Sequence, residues 1–337
     1  MEGRRVLAFV LAGGKSCRLR PLGALDPKPA LPLAGRRLID FTLSNLVNSG
    51  VGEIYVLAQY HSRSVVEHVE EVWAPLLRRS GHVAAVILPR DGPDGVFLGT
   101  ADAVYKNLDL VRGHGPDLVA VFGAGQVYRM DVGQMAAFHA RNAAAVTVAA
   151  LRVPMNEART FGGIVAGPDG NIEGIVGGPW HGPPLRPATA YASMGNYMFD
   201  PGALVELLTQ AHLQGETDLE RHVLPRASRT RRAFAYDFSL NHVPGLLAWE
   251  EPGYWRDVAT IDAYRAVRED TSGLQPRFSV CNAFWPIHGA RPHYAPQPWQ
   301  RLERPASRTS VCRSSCRPGS PPTCANSSLG RSMPMMG

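Results

Sequence analysis

A chain of 337 residues can bury a full hydrophobic core, as one large α/β domain with an appendage or as two domains. No run of about 18 or more apolar residues occurs, and Met1–Arg5 leads into a strand-like segment rather than a secretory h-region, so no membrane insertion and a cytoplasmic protein are expected. The formal charge of +6 raises nucleic acid as a partner, but residues 301–337 hold six arginines against Glu303, a net +5, which leaves residues 1–300 at +1 and removes that class.

The first half alternates short apolar runs with longer amphipathic ones, the pattern of parallel strands joined by crossover helices. Strands are predicted at Arg5–Leu11, Glu53–Leu57, Val83–Leu88, Leu118–Phe122 and Ala145–Leu151, and helices at Leu38–Ser49, Ser62–Trp73, Thr100–Val111 and Gly133–Asn142. Gly50 stands where a C′ glycine would end the first helix. The expected fold class is α/β, a doubly wound, mostly parallel sheet with ligands beyond the carboxyl ends of its strands. After about residue 154 come shorter strands, Phe161–Val165 and Ile172–Val176 about an Asp169-Gly170 turn, then a helix over Asp200–Leu213. This second half (155–290) is expected to extend the sheet and form the other wall of a cleft opposite the first (1–154). The stretch 291–337 combines Pro, Ser, Arg and Cys without aliphatic period and reads as a disordered tail. Its Cys312, Cys316 and Cys324 lack a fourth zinc ligand close by, so free thiols are favoured over a metal site.

Strand one runs into Leu11-Ala12-Gly13-Gly14, followed by Arg18 and then by Lys28 between prolines in Pro27-Lys28-Pro29-Ala30-Leu31-Pro32. Paired glycines let a backbone approach a nucleotide and cradle phosphate with N–H groups, and Arg18 and Lys28 supply the positive charge a triphosphate needs. The loop is neither a Walker motif nor G-x-G-x-x-G.

This pattern, continued by Ile39-Asp-Phe-Thr-Leu-Ser-Asn45, Asn48-Ser-Gly50, Gln59-Tyr60, His68, Trp73, Gly99-Thr100-Ala101-Asp-Ala-Val104, Ala192-Ser193-Met-Gly-Asn-Tyr197, Gly253-Tyr-Trp-Arg-Asp257 and Trp285-Pro-Ile287, resembles the ADP-glucose pyrophosphorylases, or glucose-1-phosphate adenylyltransferases. The resemblance covers about residues 5–287. It implies a Rossmann-like nucleotidyltransferase fold and the reaction of ATP with glucose 1-phosphate to give ADP-glucose and pyrophosphate. It further implies ATP held by Leu11, Ala12, Gly13 and Gly14, with Gly99, Thr100 and Ala101 against the adenine, Arg18 and Lys28 on the phosphates, and Ser193 at the sugar. Mg²⁺ would be held by two aspartates from separate strand ends, of which Asp257 matches one. A homo- or hetero-oligomer is the usual family arrangement.

The departures from the family are as informative. Gly125-Gln126 stands where the strand-end motif has Asp-His, so Gly125 replaces the second metal-binding aspartate. Val176-Gly177-Gly178-Pro179 stands for F-x-E-K-P, so Gly177 and Gly178 replace a sugar-contacting Glu and a phosphate-contacting Lys, and His222 takes the place of a sugar-site Asp. Asp131 and Glu250 are acids close enough in sequence to substitute at the metal. Asp40 reads as a cap or a core-satisfying acid rather than a ligand, Trp73 and Trp255 as packing, and His68 as a non-catalytic helix residue. The family's C-terminal hexapeptide-repeat β-helix has no counterpart in the tail, as a truncation or frame change would produce. Two functional readings follow: an active nucleotidyltransferase with an altered site, or a catalytically impaired paralogue acting as a regulatory or assembly partner.

Overall fold

The structure, a computed structural model, describes residues 3–14, 19, 26–89, 96–154, 163–176 and 189–289. In chain order the elements are β1 (Val6–Leu11), β2 (Pro32–Leu33), β3 (Arg36–Arg37), α1 (Leu38–Asn48), β4 (Glu53–Leu57), α2 (Arg63–His68), α3 (Ala74–Arg78), β5 (Val83–Ile87), α4 (Thr100–Tyr105), α5 (Leu108–His114), β6 (Leu118–Gly123), β7 (Gln126–Tyr128) and α6 (Val132–Arg141). There follow β8 (Val146–Arg152), β9 (Gly163–Ala166), β10 (Ile172–Val176), β11 (Thr189–Phe199), α7 (Pro201–Leu213), α8 (Leu224–Thr230), β12 (Ala233–Asp237), β13 (Trp255–Asp257) and α9 (Ile261–Asp270). The tail and its cysteines lie outside the described residues. Among the described residues no helix is long and apolar enough to cross a membrane.

One mixed sheet with helices on both faces runs through both halves of the chain. β5, β4, β1 and β6 are parallel neighbours, joined by crossovers as the alternation predicts. The long strand β11 then enters antiparallel between β6 and β8, and β12 closes that edge parallel to β8. The other end of β11 pairs with β9, which carries β10 as the extension of the sheet. β1 is buried on both faces: Val6, Ala8 and Val10 pack with α1 residues Ile39, Leu43 and Leu46, and Leu7 and Phe9 with Val104, Leu108 and Leu204 on the other side. An all-apolar run is what two covered faces require.

Two predicted helices are broken, each for a local reason. The segment read as one helix over Ser62–Trp73 is α2, a wide π-type turn at Val69–Trp73, and α3. Pro75 lacks the N–H for the ordinary ladder and its ring crowds the preceding turn, so the helix widens before it. The same arrangement recurs at Leu219–Val223 ahead of Pro225 in α8. Thr100–Val111 divides into α4 and α5 because Asn107 donates its side-chain amide to the Ala103 carbonyl at 2.8 Å and competes with the helix ladder.

The first wide turn brings His68 and Trp73 to Asp40, which is fully buried on α1. Asp40 Oδ1 accepts from His68 Nε2 at 2.5 Å and from Trp73 Nε1 at 2.8 Å, and Oδ2 accepts from the Arg37 backbone at 2.7 Å. Asp40 is thus both a cap and a core-satisfying acid. Gly289 closes over it: a Cβ there would stand 2.4 Å from Oδ2, and φ is +137°, where L side chains are strained.

Two stability predictions follow from buried polar groups. Asn45, fully buried, donates to Tyr128 O at 3.1 Å and accepts from Met130 N at 3.0 Å and Trp285 Nε1 at 3.2 Å. Asn45→Ala leaves those groups unpaired, so chemical denaturation is expected to give a loss of about 3 kcal/mol. His139 is buried against Thr147 Oγ1 at 2.8 Å, and burial pushes its pKa down to about 4. The unfolded chain takes up a proton near pH 6.5 that the folded chain refuses until about pH 4, so the stability that holds above pH 6.5 falls as the pH drops through that window. A denaturation midpoint measured from pH 7 to pH 4 should drop more steeply for the wild type than for His139→Gln.

Candidate active site

A cleft of about 670 Å³ opens at the carboxyl ends of β1, β4 and β6, where a doubly wound sheet presents its loops. Leu11, Gly13 and Gly14 form one wall, whereas Ala12 is buried and continues the strand by donating to the Leu57 carbonyl at 2.9 Å. Arg18 lies outside the described residues, as do Gly177 and Gly178. Gln59, noted in the sequence only as part of a motif, latches the cleft rim. Its Nε2 donates to Phe97 O at 3.1 Å and its Oε1 accepts from Phe97 N at 3.0 Å, so one side chain reproduces a β-bridge across two loops.

Gly99 and Thr100 line the cleft, and Ala101 is buried behind them. The glycine at 99 answers to the protein itself: a Cβ would stand 2.4 Å from Thr217 O, the carbonyl that also accepts from Ala101 N at 2.8 Å. Thr100 Oγ1 accepts from Leu219 N at 2.8 Å, which binds the rim to the opposite wall.

That opposite wall carries Ser193, Tyr197 and Glu220. Ser193 Oγ donates to Glu220 Oε1 at 2.8 Å and accepts from Gly195 N at 3.0 Å, and Tyr197 OH donates to the same carboxylate oxygen at 2.7 Å. Burial and then the Glu220 charge hold the Tyr197 phenol well above its usual range. Glu220 escaped the sequence reading because nothing in Asp218-Leu-Glu-Arg-His222 marks which acid faces inward. His222 turns away to its own helix start, where its Nδ1 accepts from Asp218 N at 3.2 Å. Trp255, read as packing, also lines the cleft.

The two positions that the family resemblance assigns to a metal are neighbours in space. β7 and β13 pair antiparallel with Gln126 opposite Asp257, and Val258 N donates to Gly125 O at 3.2 Å. Lys28, on a helical turn following Pro27, reaches into this ribbon and places Nζ 2.6 Å from Asp257 Oδ1. Its side chain crosses directly over Gly125: a Cβ at that glycine would lie 2.2 Å from Lys28 Cε and 2.6 Å from Nζ. The ammonium occupies the volume a side chain at 125 would need.

These residues do not fit a divalent ion held between two carboxylates. One carboxylate is missing, the other is bonded to an ammonium, and no group of three or more His, Cys, Asp or Glu among the described residues is arranged to hold a metal. The nearby acids are committed elsewhere. Glu250 pairs with buried Arg129 at 2.7 Å, and Asp131 caps α6 by accepting from Gly133 N at 2.8 Å. Chemically, the cleft offers glycine-lined backbone on one wall and a hydroxyl–carboxylate cluster on the other, with Asp257 at its edge paired to the Lys28 ammonium.

Gln59→Ala should release the rim without unfolding the sheet. Hydrogen exchange is expected to show the Phe97 amide losing at least tenfold in protection while β1 and β6 amides keep theirs; equal loss in both places would mean the latch is not local.

The nucleotidyl transferase family model matches residues 7–272 of the chain. The chain is 45% identical over 293 residues to the glucose-1-phosphate adenylyltransferase of Thermodesulfovibrio yellowstonii, covering 85% of this chain and 71% of that protein. The enzyme of the same name from Frankia casuarinae is 43% identical over 307 residues, covering 88% and 73%, and that of Geobacter metallireducens 39% over 297 residues, covering 86% and 71%. The order of motifs along the chain, the mixed doubly wound sheet and this extent of identity agree: the chain belongs to the glucose-1-phosphate adenylyltransferase family of nucleotidyl transferases.

Proposed function

We propose that this chain is a glucose-1-phosphate adenylyltransferase-like protein of glycogen or α-glucan synthesis whose turnover is impaired. The family reaction joins ATP and glucose 1-phosphate into ADP-glucose and releases pyrophosphate. In-line attack of a sugar-phosphate oxygen on the α-phosphorus builds negative charge on the leaving pyrophosphate, and rate depends on cations fixed against that charge. The observation that carries the reading is the Lys28–Asp257 pair lying over Gly125. It spends on an internal carboxylate the cation that would face phosphate, at the position where a second carboxylate is absent. Gly178 removes a further ammonium expected at the sugar phosphate. Each such loss costs on the order of 10² to 10³ in rate, so the two together leave little turnover.

The parts that would bind nucleotide are retained. The Gly13-Gly14 wall and the Gly99-Thr100 rim leave backbone accessible beside a cleft of about 670 Å³, large enough for a nucleotide. A second reading is a regulatory or assembly paralogue of an active subunit. Exposed Leu246, Leu247, Trp249 and Phe284 favour it, because large apolar side chains left in water are what a subunit contact covers.

Pyrophosphate release from ATP and glucose 1-phosphate in Mg²⁺ buffer tests the reading. Negligible release is expected from the wild type and a measurable gain from Gly125→Asp combined with Gly178→Lys. The fold should tolerate the first change, since what a side chain at 125 displaces is the flexible end of Lys28. A wild-type rate comparable to that of active relatives would overturn impaired turnover.

A further inference from the structure

We propose that the Lys28 ammonium is a built-in substitute for a divalent cation at this cleft, so that nucleoside triphosphate binds without metal and Asp257 opposes that binding instead of supporting it. The inference rests on the reading of the cleft as a nucleoside triphosphate site.

Geometry gives the first argument. Lys28 is held at its base by a helical turn, with Leu31 N donating to Lys28 O at 3.1 Å and Ala30 N to Pro27 O at 2.9 Å. From there its side chain runs across Gly125 to Asp257, so the positive charge sits between the two backbone positions that would otherwise clamp an ion. Glycine at 125 is the condition for this path, because any Cβ would meet Cδ, Cε and Nζ at 2.2–2.8 Å. The path of the lysine and the absence of a side chain at 125 therefore go together.

Charge and coordination give the second. An ammonium has three donors and no acceptor; one donor is used on Asp257, and the Lys28 side chain remains 20% exposed, so the others can turn to a ligand. A hard cation needs oxygen ligands at about 2.0–2.1 Å in near-octahedral array, and Asp257 Oδ1 is already engaged at 2.6 Å by Nζ. The pair as it stands is neutral. What a polyphosphate meets is thus a cation whose charge is offset by its own partner.

The sign of one substitution follows and separates this arrangement from a metal site. Where a carboxylate holds a metal, removing it weakens nucleotide binding. Here Asp257→Asn frees Lys28 and removes a negative charge facing the phosphates, so binding should tighten by roughly threefold to tenfold. Asparagine has nearly the same shape, and the backbone bond from Val258 N to Gly125 O does not depend on the charge.

The experiment is calorimetric titration of the full chain with ATP, in excess Mg²⁺ and in EDTA, for the wild type, Asp257→Asn and Gly125→Asp. Expected are wild-type dissociation constants within about threefold of each other in the two buffers, tighter binding in EDTA for Asp257→Asn, and at least tenfold weaker binding in EDTA than in Mg²⁺ for Gly125→Asp. Wild-type binding that requires Mg²⁺, or weaker binding by Asp257→Asn, overturns the proposal and leaves the nucleotide reading standing. Absence of ATP binding by folded wild type in both buffers overturns the nucleotide reading and the proposal with it.

Discussion

A single buried amide, that of Asn45, holds together three parts of the chain that the sheet alone does not join. From the middle of α1 it binds Tyr128 O, Met130 N and Trp285 Nε1, fixing the end of β7 and the last described segment to the same helix. Thr42, one turn earlier, donates to Gly123 O at 2.9 Å. The turn that carries Gly125 is consequently gripped on both sides by one helical face. The backbone on either side of Gly125 is thus tied to α1, which sets the frame that Lys28 spans. A satisfied polar network in a dry interior is stiff in this way because each partner would be costly to leave unmade.

Within that fixed frame, the cleft settles its charges locally. Lys28 neutralises Asp257, and Ser193 and Tyr197 satisfy Glu220; outside the cleft, Arg129 meets Glu250 where both are buried. A carboxylate or ammonium shut away without a partner costs several kcal/mol, which is why each of these charges is paired. Gly125 shows the steric side of the same packing: the space a side chain there would need is filled by the neighbouring lysine, not by a void.

The sheet was legible where physics is local. β1, β4, β5, β6 and β8 are short apolar runs between turn signals, and Asp131 and Asp200 cap α6 and α7 through residues adjacent in sequence. β11 was recognisable only as a motif, because Ser193, Gly195 and Asn196 interrupt its apolar pattern at a register shift. β7 and β13 are three-residue strands, too short for any period to declare. At the site, the glycine-rich wall could be read from the motif order. The partnership of Lys28 with Asp257 could not, since the two are 229 positions apart and only the β7–β13 ribbon brings them together. The wide turns ahead of Pro75 and Pro225 were not read from the sequence, although the residues they carry inward, Trp73 and Val223, are fully buried.

Helix α1 is a rod of 11 residues, about 16 Å long, and its other flank receives the segment 285–289. Asn48 Nδ2 donates to Pro286 O at 2.9 Å, His288 N donates to Ser44 Oγ at 2.8 Å, and Gly289 seals Asp40. That strip and the Gly125 turn are clasped by the same rod, Asn45 touching both. A substitution at Trp285 or Gly289 is for this reason not a distant surface change: it loosens the beam on which the Gly125 turn is mounted.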